Sequence, residues 1–70
     1  MTEYLVIYET GDHGEWGATC PDLPGCVAVG ETQAAVEELI CKAIPAHIGL
    51  MREVGDPVPA PHHHAGVIAA

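Results

Sequence analysis

The stretch that divides the predicted sheet of this chain is C-P-D-L-P-G-C at residues 20–26. Its prolines cannot donate a backbone hydrogen bond to a strand ladder, and Pro24-Gly25 is a dipeptide typical of tight turns. The flanking residues 15–20 (E-W-G-A-T-C) and 26–30 (C-V-A-V-G) have the short apolar or alternating patterns of strands. The stretch is therefore predicted to be the loop between a second and a third antiparallel strand.

Upstream of this loop, residues 4–8 (Y-L-V-I-Y) predict a first strand. Residues 10–14 (T-G-D-H-G) follow it, and their glycines and aspartate are typical of a hairpin connection. Alternate residues of a strand point to opposite faces, so both faces of this strand are apolar. Such a strand needs cover on both sides. A helix of this chain can provide one cover, and another subunit can provide the second.

Downstream, a helical period begins after Thr32, whose hydroxyl is a plausible N-cap although Ala35 leaves the capping box incomplete. Gly55 can end the helix as its C′ residue. Pro45 lies inside and predicts either a kink or two helices that meet there. The predicted apolar stripe consists of Val36, Leu39, Ile40, Ala43, Ile44, His47, Leu50, Met51 and Val54.

The remaining residues predict an extended exit from the helix. Residues 56–64 are spaced by prolines and contain three histidines, and residues 65–70 (A-G-V-I-A-A) could form a fourth strand at the sheet edge. The fold class is thus α+β: a three-stranded antiparallel meander, one long helix and this possible edge strand. Residues 1–70 are predicted to form one domain with its core at about 3–55.

The charge of the chain restricts its partners. Ten acidic residues stand against two basic ones, Lys42 and Arg52, for a formal charge of −8. This argues against direct binding to nucleic acid or anionic lipid, and it would speed encounter with a basic partner. The acids could also serve solubility alone. The apolar runs are too short for a membrane span and the N-terminus lacks the basic start of a signal peptide, so a cytoplasmic location is expected.

The cysteines and histidines give weak metal signals. Three cysteines are an odd number, and Cys20 and Cys26 are farther apart than usual zinc ligand pairs. We expect reduced, partly buried thiols. The tract His62-His63-His64 is expected to be a solvated tail, because adjacent residues of an extended chain point to opposite sides. His47 is expected to take part in packing. The sequence therefore predicts no metal and no cofactor.

Several motifs together resemble the HicB-like antitoxin family. They are Y-L-V-I-Y-E at 4–9, G-E-W at 14–16, the loop at 20–26, G-E-T at 30–32 and G-D-P-V-P at 55–59. The resemblance implies a reduced ribonuclease-H-like ββαβ fold without a nuclease site. It also implies neutralisation, by direct contact, of a small basic HicA-like toxin that cleaves mRNA. The chain departs from the family pattern at Pro45, and its 70 residues leave no room for the usual DNA-binding module.

Two groups of residues are candidates for partner contact. The acidic group could meet basic residues of the toxin or could simply be solvated, and it consists of Glu9, Asp12, Glu15 and Asp22. The aromatic group could form an interface patch or ordinary core under the helix, and it consists of Tyr4, Tyr8 and Trp16. The loop residues are expected to be structural, and they are Pro21, Asp22, Leu23, Pro24, Gly25 and Cys26.

Catalysis is not expected. A nuclease of ribonuclease-H type needs convergent carboxylates that hold two metal ions, and the acids here lie in turns and at strand ends. Cys20 with His13 or His47 could imitate a thiol–imidazole pair, but no spacing favours it. The alternative to an antitoxin is an orphan domain of the same fold that self-associates without a toxin. Because a domain this small has little core of its own, a homo-oligomer is expected in either case.

Overall fold

The computed structural model of the protein describes residues 3–70, so Met1 and Thr2 of the predicted 1–70 domain lie outside the described residues. Within this range the elements are β1 (Ile7–Thr10), β2 (Trp16–Thr19), β3 (Val27–Gly30) and α1 (Gln33–Val54). The predicted α+β class, with antiparallel strands followed by one long helix, is confirmed.

The sheet is a meander in the order β1-β2-β3, and each strand pairs antiparallel with its neighbour in sequence. Each strand is shorter than predicted and begins at a later residue. The first was expected to begin at Tyr4, but β1 begins at Ile7 because only its four residues lie opposite β2, from Ile7 against Thr19 to Thr10 against Trp16.

Residues 20–26 form two successive tight turns. The amide of Leu23 donates to the carbonyl of Cys20 (3.1 Å), and the amide of Cys26 donates to the carbonyl of Leu23 (3.0 Å). Gly25 has a φ of 84°, which the third position of a type II turn requires after Pro24 at the second. The predicted loop is confirmed. It also buries Leu23 completely, so it is part of the core.

The ends of α1 follow the predicted capping. The hydroxyl of Thr32 accepts a hydrogen bond from the amide of Ala35 (3.1 Å), and Gly55 has a φ of 80° with its amide bonded to the carbonyl of Arg52. α1 is continuous through Pro45, so the alternative of two helices is wrong. Pro45 lies on the exposed side of α1, and the Cys41 carbonyl that it leaves without a helical donor belongs to an exposed residue, where water can replace that donor.

One face of the sheet packs against α1. Tyr8, Ala18 and Ala28 form a row across the three strands on this face, and the two alanines leave room for the helix. The buried apolar residues are Ala18, Cys20, Leu23, Cys26, Val36 and Ile40.

The predicted helical stripe is wrong at Leu39, Leu50 and Val54, which are exposed. A helix of this length extends about 33 Å, whereas a four-residue strand extends about 13 Å. Because α1 is so much longer than the strands, its C-terminal part, with Leu50 and Val54, has too little sheet to pack against. Of the described residues, none belongs to a helix long and apolar enough to cross a membrane.

The fourth strand predicted at residues 65–70 is absent. Val67 and Ile68 are 100% and 93% exposed, and residues 65–70 have no strand assignment. A strand requires a backbone partner, and the described residues provide none for this segment. The ββαβ order implied by the resemblance is therefore corrected to βββα for the described part of the chain.

Candidate functional site

The face of the sheet that α1 does not cover is largely apolar and exposed. It carries two cross-strand rows, Ile7–Thr19–Val27 and Glu9–Gly17–Val29, and we call these six residues the open sheet face. Ile7, Val27 and Val29 are 42%, 59% and 69% exposed. Of the second apolar face predicted for residues 4–8, Ile7 lies on this uncovered face, whereas Leu5 is half-buried and precedes β1.

Acidic residues accompany this face. Glu9 lies in one of its rows, and Asp12 and Glu15 are exposed in the hairpin between β1 and β2. Glu15 accepts a hydrogen bond from the amide of His13 (3.0 Å), which orders the hairpin locally. Lys42 and Arg52 both lie on α1, which covers the opposite face of the sheet. The open sheet face thus has an acidic margin without lysine or arginine among residues 3–70.

The predicted aromatic group does not lie on the open sheet face. Tyr4, Tyr8 and Trp16 are partly buried and pack against the core. The hydroxyl of Tyr4 donates to the carbonyl of Pro59 (2.7 Å), which holds the exit segment beside the start of the chain. Trp16 also lines a shallow depression with Glu9, Glu15 and Val29. A contact of this aromatic group with a partner remains a prediction, and Trp16 is the best placed of the three.

Asp22 differs from the other predicted acids because it is buried, with 2% of the residue exposed. The expectation that it belongs to an exposed acidic surface is therefore wrong. One oxygen, Oδ1, is 2.7 Å from Nδ1 of His62 and 2.5 Å from Nδ1 of His63. It also accepts a hydrogen bond from the amide of His62 (3.3 Å). The other oxygen, Oδ2, is buried and has no hydrogen-bond partner.

These contacts determine the charge of Asp22. Burial pushes the pKa of the carboxyl up, but the hydrogen bonds from His63 and the His62 amide, together with the two nearby imidazoles, lower the pKa by more. The net pKa is below its ordinary value, so the contacts favour the ionised carboxylate. A buried carboxylate can stay ionised only if its hydrogen-bond partners remain close to it.

The histidine tract is exposed, as expected for a solvated tail, but it also makes a contact that the sequence did not predict. His62 and His63 both reach Asp22, although they are adjacent and about forty positions away in the chain. The argument from alternation fails because residues 60–64 have no regular strand geometry. No local pattern indicates this contact, since it depends on where the exit segment crosses the loop.

The thiols differ in exposure, and the structural role predicted for the remaining loop residues stays a prediction. Reduced, partly buried thiols were expected. Cys20 and Cys26 are buried free thiols, whereas Cys41 is an exposed one. Burial raises the pKa of Cys26, and the neighbouring Cys20 raises it further, which disfavours the nucleophilic thiolate. His47 is half-buried on α1, and its ring lies close to Gly25 of the loop.

Comparison with known proteins matches the chain to a family model. The profile of a family described as "HicB_like antitoxin of bacterial toxin-antitoxin system" matches residues 4–70. No curated protein matches the chain, and no solved structure does. The matched range includes the exit segment as well as the sheet and helix.

Proposed function

Because this chain belongs to the HicB-like antitoxin family, we propose that it neutralises a small basic mRNA-cleaving toxin of the HicA type by direct contact through its open sheet face. The observation that carries the proposal is an apolar face left uncovered by α1 and accompanied by Glu9, Asp12 and Glu15. The family is typically non-enzymatic, and the role proposed here involves no catalysis by this chain.

The apolar part of the face supplies affinity. Each square ångström of apolar surface removed from water contributes about 25 cal/mol, and the exposed side chains of Ile7, Val27 and Val29 lie side by side in two adjacent rows. Contiguous exposed apolar patches on small proteins often mark interaction sites. Gly17 leaves the middle of one row without a side chain, so a protruding partner residue can approach the backbone there.

The acidic margin raises the rate of association with a basic partner and favours that partner over nucleic acid. Exposed ion pairs contribute only about 0–1 kcal/mol each, so Glu9, Asp12 and Glu15 would act mainly on the association rate with a basic toxin. The formal charge of −8 acts in the same direction and disfavours nucleic acid as a competing ligand. We place this role in the cytoplasm, where the toxin's mRNA substrate is found.

A second candidate is the orphan domain, in which a second copy of the chain occupies the same face. Two observations favour it: the open sheet face is apolar, and β1 and β3 are sheet edges with unpaired backbone groups. A homo-oligomer through a sheet edge is also compatible with toxin binding, because it leaves the open sheet face free.

The experiment is light scattering of the purified chain, alone and with any small basic protein encoded beside its gene, at low and high salt. We expect a complex that weakens at high salt. Glu9→Lys should slow association, and Val29→Lys should speed dissociation. Val54→Lys is the matched control, because Val54 is exposed to a similar degree (63%) but lies at the end of α1.

The outcomes separate the two candidates. A complex with the basic protein that Val29→Lys weakens and Val54→Lys does not would support the antitoxin role. A homo-oligomer that does not bind the basic protein and that dissociates when Val29→Lys is introduced would instead support the orphan domain. A complex that both valine variants weaken equally would contradict the assignment to the open sheet face.

A further inference from the structure

Asp22, His62 and His63 bring three metal-binding groups together. One donor atom from each residue lies within 4.8 Å of the others. Asp22 comes from the loop between β2 and β3, whereas the histidines come from the segment that follows α1. The cluster is separate from the open sheet face, and it brings together groups that are distant in sequence.

The donor set is that of a transition-metal site. Imidazole nitrogen and carboxylate oxygen both bind Zn²⁺, at about 2.0–2.2 Å, and sites with three protein ligands leave a fourth position for water. Two imidazoles with one carboxylate also suit other divalent metals of the first transition row. Calcium and magnesium prefer oxygen ligands, so they fit this set poorly.

The second carboxylate oxygen gives an independent indication of a ligand. Oδ2 of Asp22 is buried and has no hydrogen-bond partner in the described part of the chain. Leaving a buried acceptor unsatisfied is unfavourable, and unsatisfied groups of this kind are uncommon in folded proteins. A cation held by the carboxylate would compensate for it.

The geometry requires only a small adjustment. Neighbouring ligand atoms of tetrahedral zinc are about 3.3 Å apart, from bond lengths near 2.0–2.1 Å, whereas the imidazole nitrogens are 2.7 and 2.5 Å from Oδ1 of Asp22. To reach that spacing from Oδ1, each histidine nitrogen must move away from it by less than about 1 Å. Both are exposed and lie outside regular secondary structure, so this movement meets little resistance.

We propose that Asp22, His62 and His63 bind one divalent transition-metal ion, with zinc as the test ion, and that the ion fastens the exit segment to the loop at residues 20–26. The site does not depend on toxin binding, so its test is independent of the proposed function.

Isothermal titration of the whole chain with zinc chloride alone tests the proposal, in a Cys41→Ser background that removes the exposed thiol. We expect one zinc per chain. His62→Ala and His63→Ala should each weaken binding at least about tenfold, which is the lower limit for changes to groups that merely support metal ligands. Zinc should also raise the midpoint of thermal unfolding, because it binds the folded chain.

Two controls make the result specific. His64→Ala removes a histidine from the same tract but outside the cluster, and His13→Ala removes one from the distant hairpin; both should leave zinc binding unchanged. The proposal fails if zinc is not taken up, if His64→Ala weakens binding as much as His63→Ala, or if His62→Ala and His63→Ala retain full affinity. It also fails if bound Co²⁺ shows thiolate charge-transfer absorption, which would assign the ion to Cys20 and Cys26.

Discussion

The two faces of the sheet are formed by alternate residues of the same strands but have opposite environments. On the packed face, Ala18 and Ala28 pack in the core with Val36 and Ile40 of α1. On the open sheet face, Val27 and Val29 are exposed on the same strand that carries Ala28. Within β3, the larger apolar side chains therefore lie on the face that this chain does not cover. Most of the packing that stabilises the fold is therefore on the packed face, and the open sheet face is available for a partner.

The same substitution on the two faces should give the largest contrast. Ile40→Ala removes a buried side chain and should lower the free energy of unfolding by about 2–5 kcal/mol, whereas Ile7→Ala on the open sheet face should lower it by less than about 1 kcal/mol. Chemical denaturation followed by circular dichroism measures both.

A domain of this size has only a few kcal/mol of net stability, so Ile40→Ala could leave most of the chain unfolded. The milder pair, Ile40→Val and Ile7→Val, keeps the comparison measurable: about 0.5–1.5 kcal/mol is expected for the buried position. Equal losses at the two positions would mean that the open sheet face is covered in solution.

Enlarging a side chain should give a smaller contrast. Ala18→Leu forces a larger group between β2 and α1 and should cost about 1–3 kcal/mol. Thr19→Leu enlarges the side chain of the next residue in β2, which is exposed, and should change stability by less than about 0.5 kcal/mol. A tolerated Ala18→Leu would show that α1 does not pack closely on the sheet.

The smallest of the three effects should come from acid. The pKa of Asp22 is lowered in the folded chain, so its contribution is fully present above the unfolded value of 3.8 and is lost as the pH falls through the lower folded value. Burial opposes the histidine contacts, which limits the effect. The free energy of unfolding, measured below pH 4, should fall less steeply in His63→Ala than in the parent chain.

His64 offers the control for this prediction. His64→Ala should leave the slope of stability against pH as it is in the parent, because the histidine contacts of Asp22 are to His62 and His63. If His63→Ala also leaves the slope unchanged, the histidine contact does not hold Asp22 in its ionised form in solution.

Local features of this fold could be predicted from the sequence because each depends on a few neighbouring residues. Thr32 and Gly55 bound the helix through hydrogen bonds to atoms three or four positions away, and Pro24-Gly25 defines its own turn. The uncovered face followed from alternation in residues 4–8 and from the presence of a single helix.

The errors concern long-range packing. Asp22 looked like a surface acid because nothing near it indicates that histidines some forty positions later would contact it. Leu50 and Val54 fit the helical period, yet the strands are too short to cover them. The fourth strand failed for a related reason, since apolar character at Val67 and Ile68 cannot create a backbone partner.

The order of the sheet also has a consequence for how fast the chain folds. Each strand pairs with the strand next to it in sequence, and α1 follows directly and packs on β2 and β3. Short loops cost little entropy to close, and folds with mostly local pairing reach their native state quickly. For a member of an antitoxin family, rapid folding shortens the time between synthesis and the state that can bind a partner.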